Sequence, residues 1–383
     1  MRQLGRARRG GGEAAGHDPP GAADRPRGQA SRAPERDLQE ADAVTARRLT
    51  VIATGPSGPS EELDPLRRAG HEVVIGRPLD TASRRAYTEA ELIEQCRVAD
   101  VVLASHLERI TPAVMQHAEH LGLVIVPFIG VDKIDVPAAT RLGVLVANSP
   151  TRENFIAVAE ATIGLILMLL KRIKRGESRL RRGEWARRED RGDFLFGKTV
   201  GIVGLGRIGT HVARRLVNWD VRLIAADPYV PRDTAAALGV TLVDLPTLLA
   251  EADIVTVHAT LTDETRGFIG EKELRRMKAT ALFLNTARGE LVDEAAVARA
   301  VEERWIAGAA VDAFALEPLP PAHPYRDADP ERLILTPHNI AHSEAGRRAN
   351  LTLALEQILA VGRGEPPAHV INPEAIAAWR MKP

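Results

Sequence analysis

The sequence predicts an α/β fold of two doubly wound parallel-sheet domains. Three observations carry that reading. From residue 49 onward, short apolar runs alternate with helix-like segments, as in strands joined by helical crossovers. The stretch KTVGIVGLGRIG at 198–209 sets Gly204, Gly206 and Gly209 between an apolar run and the helix-like HVARRLVNW. A second apolar run ends in Asp227, 18 residues beyond the last glycine. Strand, glycine turn, helix, strand and acid is the order of a dinucleotide-binding βαβ unit.

Each part of that unit has a physical task. Gly204 permits the tight turn out of the strand, and Gly206 lets a pyrophosphate approach bare backbone. Gly209 lets the helix pack closely on the sheet. The helix N-terminus offers free N–H groups and a partial positive charge to the phosphates. Asp227 can accept hydrogen bonds from ribose hydroxyls but would repel a 2′-phosphate, which favours NAD over NADP.

Taken in order, residues 1–48 contain no Phe, Trp or Tyr and are rich in Gly, Pro, Ala and Arg. Such a segment buries too little apolar surface to offset its ordering entropy, so a disordered tail is expected. Its seven acids and scarce serine argue against a transit peptide. The runs LTVIAT, HEVVIG, ADVVLAS, LGLVIV and GVLVA assign 49–148 to a first domain. Ser149 and Pro150 interrupt the pattern. One long helix is then expected over ENFIAVAEATIGLILMLLKRIKRG, apolar almost all round and therefore buried between domains or subunits. Gly176 and Gly183 should end it in an arginine-rich loop. The dinucleotide unit follows, continued by VRLIAAD, DIVTVHAT, TALFLNT, AGAAVDAF and RLILTPH, so that about six strands fill 149–338. A last helix is expected near 343–361. The remainder of 339–383 should return to the first domain.

Composition narrows the function. The 383 residues hold 51 Lys and Arg against 51 Asp and Glu, which argues against nucleic acid or an anionic membrane as partner. The single cysteine, Cys96, allows no internal disulfide or cysteine metal site and suits a cytoplasmic protein. No metal site is expected. The longest unbroken apolar run, 163–170, is short of the ~20 residues a membrane span needs.

Three segments lie at the ends of late strands, where open α/β sheets hold ligands. They are NTARGE with Arg288, VDAFALEP with Asp312 and Glu317, and TPH with His338. A guanidinium at 288 can grip a carboxylate through two parallel hydrogen bonds. Read singly, these could be a surface arginine, a helix-capping acid and a structural histidine, as His106, His117, His120 and His211 are taken to be.

Together with IGVDKIDVPAATRLGVLVANSP, AVAEATIGLILMLLKR, ADIVTVHATLTDETRGFIG and LTPHNIAHS, these motifs resemble the D-isomer-specific 2-hydroxyacid dehydrogenases, phosphoglycerate dehydrogenase-like members included. The resemblance covers nearly everything from 49 to 374. It implies a Rossmann-type cofactor domain inserted in a flavodoxin-like substrate domain, and an NAD-dependent oxidoreductase acting on a small D-2-hydroxy acid/2-oxo acid pair. It implies that Arg288 binds the substrate's carboxylate and carbonyl, that His338 is the acid/base, and that Glu317 hydrogen-bonds that histidine. Such a carboxylate fixes the ring's orientation and tautomer. By the same resemblance, Arg207 and Ile208 lie at the pyrophosphate and Asp227 at the adenosine ribose. Thr260 and Thr262 lie near the adenine, Thr286 and Ala287 near the nicotinamide, and Asp312 near its carboxamide. The long apolar helix matches the family's dimer-forming element, so a homodimer is expected.

Three departures bear on specificity. The substrate loop reads VPFIG, so Phe128 and Ile129 replace smaller residues and suggest an apolar or short, non-phosphorylated substrate. HATLT puts Thr260 where the family has proline. Ala341 stands for a glycine after the catalytic histidine. The same fold also serves NAD-sensing co-repressors and relatives acting on formate, phosphite or glyoxylate, and these are the competing readings.

Overall fold

Residues 47–55, 59–76 and 86–381 are described in the computed structural model. The expected disordered tail lies outside them except for Arg47 and Arg48. Arg47 is tied down: its amide donates to the Gly362 carbonyl, and its guanidinium pairs with Asp100 at 2.8 Å.

Among the described residues, twelve strands form two all-parallel sheets. The first comprises β1 (Thr50–Ala53), β2 (Glu72–Ile75), β3 (Val101–Leu103), β4 (Leu123–Ile125) and β5 (Leu145–Ala147), in the order β2-β1-β3-β4-β5. The second comprises β6 (Thr199–Val203), β7 (Arg222–Ala226), β8 (Val240–Leu242), β9 (Ile254–Val257), β10 (Leu282–Asn285), β11 (Gly308–Val311) and β12 (Leu333–Leu335). Its order is β12-β11-β10-β9-β6-β7-β8. Both orders reverse direction once, at β1/β3 and at β6/β9. In doubly wound sheets the ligand crevice opens at that reversal. Every residue of β3, β4, β5, β9, β10 and β11 is buried, as strands covered by helices on both faces must be.

The second sheet has seven strands where the sequence suggested about six. The addition, β8, is a three-residue edge strand that pairs only with β7. Its run, VTL, is too short and too exposed to stand out as an apolar segment.

The long apolar stretch also differs from expectation. It forms two helices, Arg152–Leu170 and Ile173–Arg181, separated where Arg172 adopts a left-handed φ of 50°. The returning chain explains the break: the Asp193 amide donates to the Leu170 carbonyl at 2.8 Å, and Gly192 sits directly against that carbonyl. Gly176 lies inside the second helix, which Gly183 ends at φ 75°. By length and mean hydropathy (1.7), Arg152–Leu170 alone among helices of the described residues could cross a membrane. Its packing on the helix Arg207–Leu216 and on β10 and β11 makes it instead a core helix of the second sheet.

The C-terminal helix, Glu344–Gly362, is capped by Ser343 and packs on the first sheet. Ala354, Leu355, Ile358 and Val361 share a core there with Leu49, Val51, Leu123 and Leu145. Beyond it, Ile371 donates to the Val146 carbonyl at 2.8 Å. The buried Asn372 side chain accepts from Val146 N at 2.8 Å and donates to Val144 O at 3.0 Å, satisfying the free edge of β5.

Candidate active site

The glycine turn leaves β6 at the reversal point of the second sheet. Gly204 has φ 90°, and a Cβ there would lie 2.7 Å from the Ala259 amide nitrogen. Gly209 packs against the Gly204 carbonyl with no room for a side chain. Beside Gly206 a Cβ would meet nothing within 4 Å, so open space adjoins bare backbone. The helix Arg207–Leu216 starts there with no side-chain cap on its first turn. An uncapped helix N-terminus facing open space beside a glycine is a cradle that fits a pyrophosphate.

Around the cradle, Ile208 packs into the core beneath, and Arg207 lies over the Phe155 ring at 5.3 Å. Asp227 accepts from Leu205 N at 2.8 Å through Oδ2 and from Tyr229 N at 2.9 Å through Oδ1. It therefore braces the turn, and each oxygen keeps a lone pair for a ribose hydroxyl. Thr260 and Thr262 are exposed and bond within their own loop, both to Thr265 and Thr262 also to the Arg266 amide. Thr286 is buried and hydrogen-bonds Thr162 of the long helix at 3.1 Å, while Ala287 is buried beside it.

Three loops at the ends of β10, β11 and β12 carry the remaining groups. Asn285 clamps the first: its side chain accepts from Ala287 N at 3.1 Å and donates to Arg288 O at 2.8 Å. Gly289 sits directly on the Phe314 and Ala315 backbone, which joins the Arg288 turn to the loop bearing Glu317. His338 Nδ1 lies 2.7 Å from Glu317 Oε1, so Nδ1–H donates to the carboxylate and Nε2 is left for other work. Burial pushes the Glu317 carboxyl up, but the hydrogen bond and charge of His338, the Phe314 amide and Lys133 together bring it below the usual carboxylate value.

His338 has φ 50°, a left-handed backbone that strains a non-glycine residue. Asp312 holds it there. Its buried Oδ1 accepts from Thr336 Oγ1 at 2.6 Å on one side, and from Asn339 N at 3.2 Å and Ile340 N at 3.4 Å on the other. Asp312, expected at a carboxamide, is in this structure the clamp of the histidine loop.

The facing wall belongs to the first sheet. Ser149 N donates to Phe128 O at 2.9 Å, and Asn148 Nδ2 donates to Ile129 O at 2.7 Å, fixing that loop after β4. Phe128 is half-buried and packs against the core of the first sheet. Across the cleft Arg288 Nε donates to Asp132 Oδ2 at 2.9 Å, and its guanidinium lies against Gly130.

The fold therefore brings His338 to Glu317, Asp227 to the glycine turn and the Arg288 turn to the Glu317 loop. It makes no such link for Thr260 and Thr262. Sequence reasoning missed Asp132, Asn285 as a clamp, and the pair Glu294 and His323. That pair meets at 3.0 Å, and Glu294 also accepts from Ala315 N at 3.1 Å, beneath the Glu317 loop. Asp132 stood inside a quoted motif; only its charge went unread. Behind the turn, burial pushes His258 down to about 4. Burial pushes the Cys96 thiol up to about 12, with Glu108 adding to it, so the thiol is inert. No cluster suited to a metal occurs among the described residues.

Residues 163–339 match the family model described as D-isomer specific 2-hydroxyacid dehydrogenase, NAD binding domain. The chain is 41% identical over 286 residues to D-3-phosphoglycerate dehydrogenase of Methanocaldococcus jannaschii, covering 74% of this chain and 54% of that protein. It thus spans about half the length of that relative. It is 39% identical over 291 residues to glyoxylate reductase of Thermofilum pendens, covering 75% of this chain and 85% of that one. Among solved structures, the TT0316 protein from Thermus thermophilus superposes with a TM-score of 0.75 at 32% identity, over 84% of this chain and all of that one.

Proposed function

Because the chain belongs to the D-isomer specific 2-hydroxyacid dehydrogenase family, we propose that it uses NAD to interconvert a small 2-oxo acid and its D-2-hydroxy acid. The observation that carries this is the 2.7 Å hydrogen bond between His338 and Glu317, with the Glu317 loop packed against the Arg288 turn. In this reading NAD supplies the hydride chemistry when bound in the glycine cradle. Arg288 binds the carboxylate and polarises the neighbouring carbonyl. His338, oriented by Glu317, holds the proton at the C2 oxygen: it gives the proton during reduction and takes it during oxidation. Segments 49–148 and 339–383 form the substrate side and 149–338 the cofactor side, closing over the ligands to exclude water. The test is NADH oxidation with glyoxylate, hydroxypyruvate, pyruvate, phenylpyruvate and branched 2-oxo acids. Turnover on none of them would refute the reading.

The same proposal includes a homodimer. Trp185, Phe194 and Phe196 are 80%, 70% and 70% exposed, and Ile173 and Leu180 are exposed beside them in sequence. Apolar surface of that kind marks an interface. Light scattering that returned a monomer would refute the dimer. A cytoplasmic location, with neither nucleic acid nor membrane as partner, completes the proposal; it is supported by balanced charge and the inert, buried Cys96.

A further inference from the structure

We propose that Asp132 is a resident competitor for Arg288, a carboxylate that occupies the guanidinium until the substrate's own carboxylate displaces it. The inference rests on the reading that Arg288 binds the substrate's carboxylate. Asp132 follows β4 and Arg288 follows β10, 156 residues away and on the other side of the cleft. Among the described residues, two of the five guanidinium N–H donors are engaged. Nε donates to Asp132 at 2.9 Å, and Nη1 donates to the Ala287 carbonyl at 2.8 Å. Nη2 lies beside Gly130, which has no side chain to obstruct it.

An incoming carboxylate has two ways to form parallel bonds. On the Nε/Nη2 edge it must evict Asp132. On the Nη1/Nη2 edge it binds beside a retained negative charge. Both routes weaken anion binding, so Asp132 acts on affinity through Arg288. The side chains of Asp132 and Arg288 are 42% and 28% exposed. A pair that open to water is weak enough for a substrate to break. Nearby, Lys133 acts by its charge on Glu317. Glu317 is committed to His338, and Arg288 is the cation that Asp132 pairs with. The effect is selective: a lone small anion meets a neutralised arginine, whereas a 2-oxo acid also brings a carbonyl for Arg288 and His338. Asp132 is thus a positioning residue that sets anion affinity and substrate choice.

The test compares wild type with Asp132→Asn and Asp132→Glu. Oxamate, an unreactive 2-oxo carboxylate analogue, is titrated into each protein with NADH bound, and KM and kcat are measured on the best 2-oxo acid. The Asn variant should bind oxamate about fivefold more tightly and show a KM lower by a similar factor, with kcat unchanged or lower. The Glu variant should return toward wild type. Mere structural damage would weaken binding, so tighter binding cannot arise from it. Equal or weaker binding by the Asn variant overturns the inference, as does a Glu variant that binds as tightly as Asn. Absence of oxamate binding in both wild type and the Asn variant overturns it too. If wild type binds oxamate but reduces no 2-oxo acid, the proposed activity fails while the Asp132 comparison still reads out.

Discussion

The two walls of the cleft are built from different materials. The cofactor wall is main chain: a glycine turn, an uncapped helix and amides braced by Asp227. The rest of the cleft is side-chain charge: Arg288 reaches across it to Asp132, 156 residues away, and His338 meets Glu317, 21 residues away, between neighbouring strand-end loops. A backbone site fails when a side chain is added. A charge site fails when one is removed, and responds to pH.

Perturbations of the two walls should separate accordingly. The largest effect is expected from His338→Gln, which should lower kcat ~1,000-fold while NADH affinity, read by fluorescence titration, stays near wild type. Comparable loss of NADH binding would show that the two walls are not independent. Gly204→Ala should do the reverse. At φ 90°, with a Cβ 2.7 Å from the Ala259 nitrogen, it should cost about 2–4 kcal/mol in unfolding free energy and weaken NADH binding as well. Unchanged melting would remove the close-approach argument.

A third expectation concerns acid. His258 is held near 4 by burial, so between about pH 6.5 and 4 the unfolded chain binds the extra proton. Stability contributed by the neutral ring is therefore full above pH 6.5 and declines as pH falls, by about 3 kcal/mol at pH 4. His71 is lowered in the same direction by burial, against the opposing charge of Asp100. A His258→Asn variant whose stability fell just as steeply with acid would rule His258 out as the source. The smallest effect is expected from Asn372→Ala, which strips the β5 edge of its buried partner and should cost about 1–3 kcal/mol in urea unfolding without altering KM.

The contrast also explains what the sequence could reveal. Gly204, Gly206, Gly209 and Asp227 were legible because a backbone site needs fixed spacing within one βαβ unit. Arg288, Glu317 and His338 were legible as strand-end motifs. Their second layer was not: Asp312 as clamp, Glu294 beneath Ala315 and Asp132 across the cleft depend on contacts between distant segments that no local period encodes. The break at Arg172 was hidden because the cause lies in the returning chain at Gly192 and Asp193, about twenty residues on. Phe128 is a related case: its bulk was legible, but its packing on the core of the first sheet was not.

The return of the C-terminal segment to β5 has a consequence in time. Val146 and Asn372 are 226 residues apart, and the helix Glu344–Gly362 supplies part of the first sheet's core. During synthesis at ~5–20 residues per second, the first sheet waits about 10–45 s for its missing edge and helix, while the whole second sheet emerges in the interval. The half that is translated first is therefore the half that matures last, and its exposed β5 edge and unfilled core are where a chaperone or a protease would meet the nascent chain.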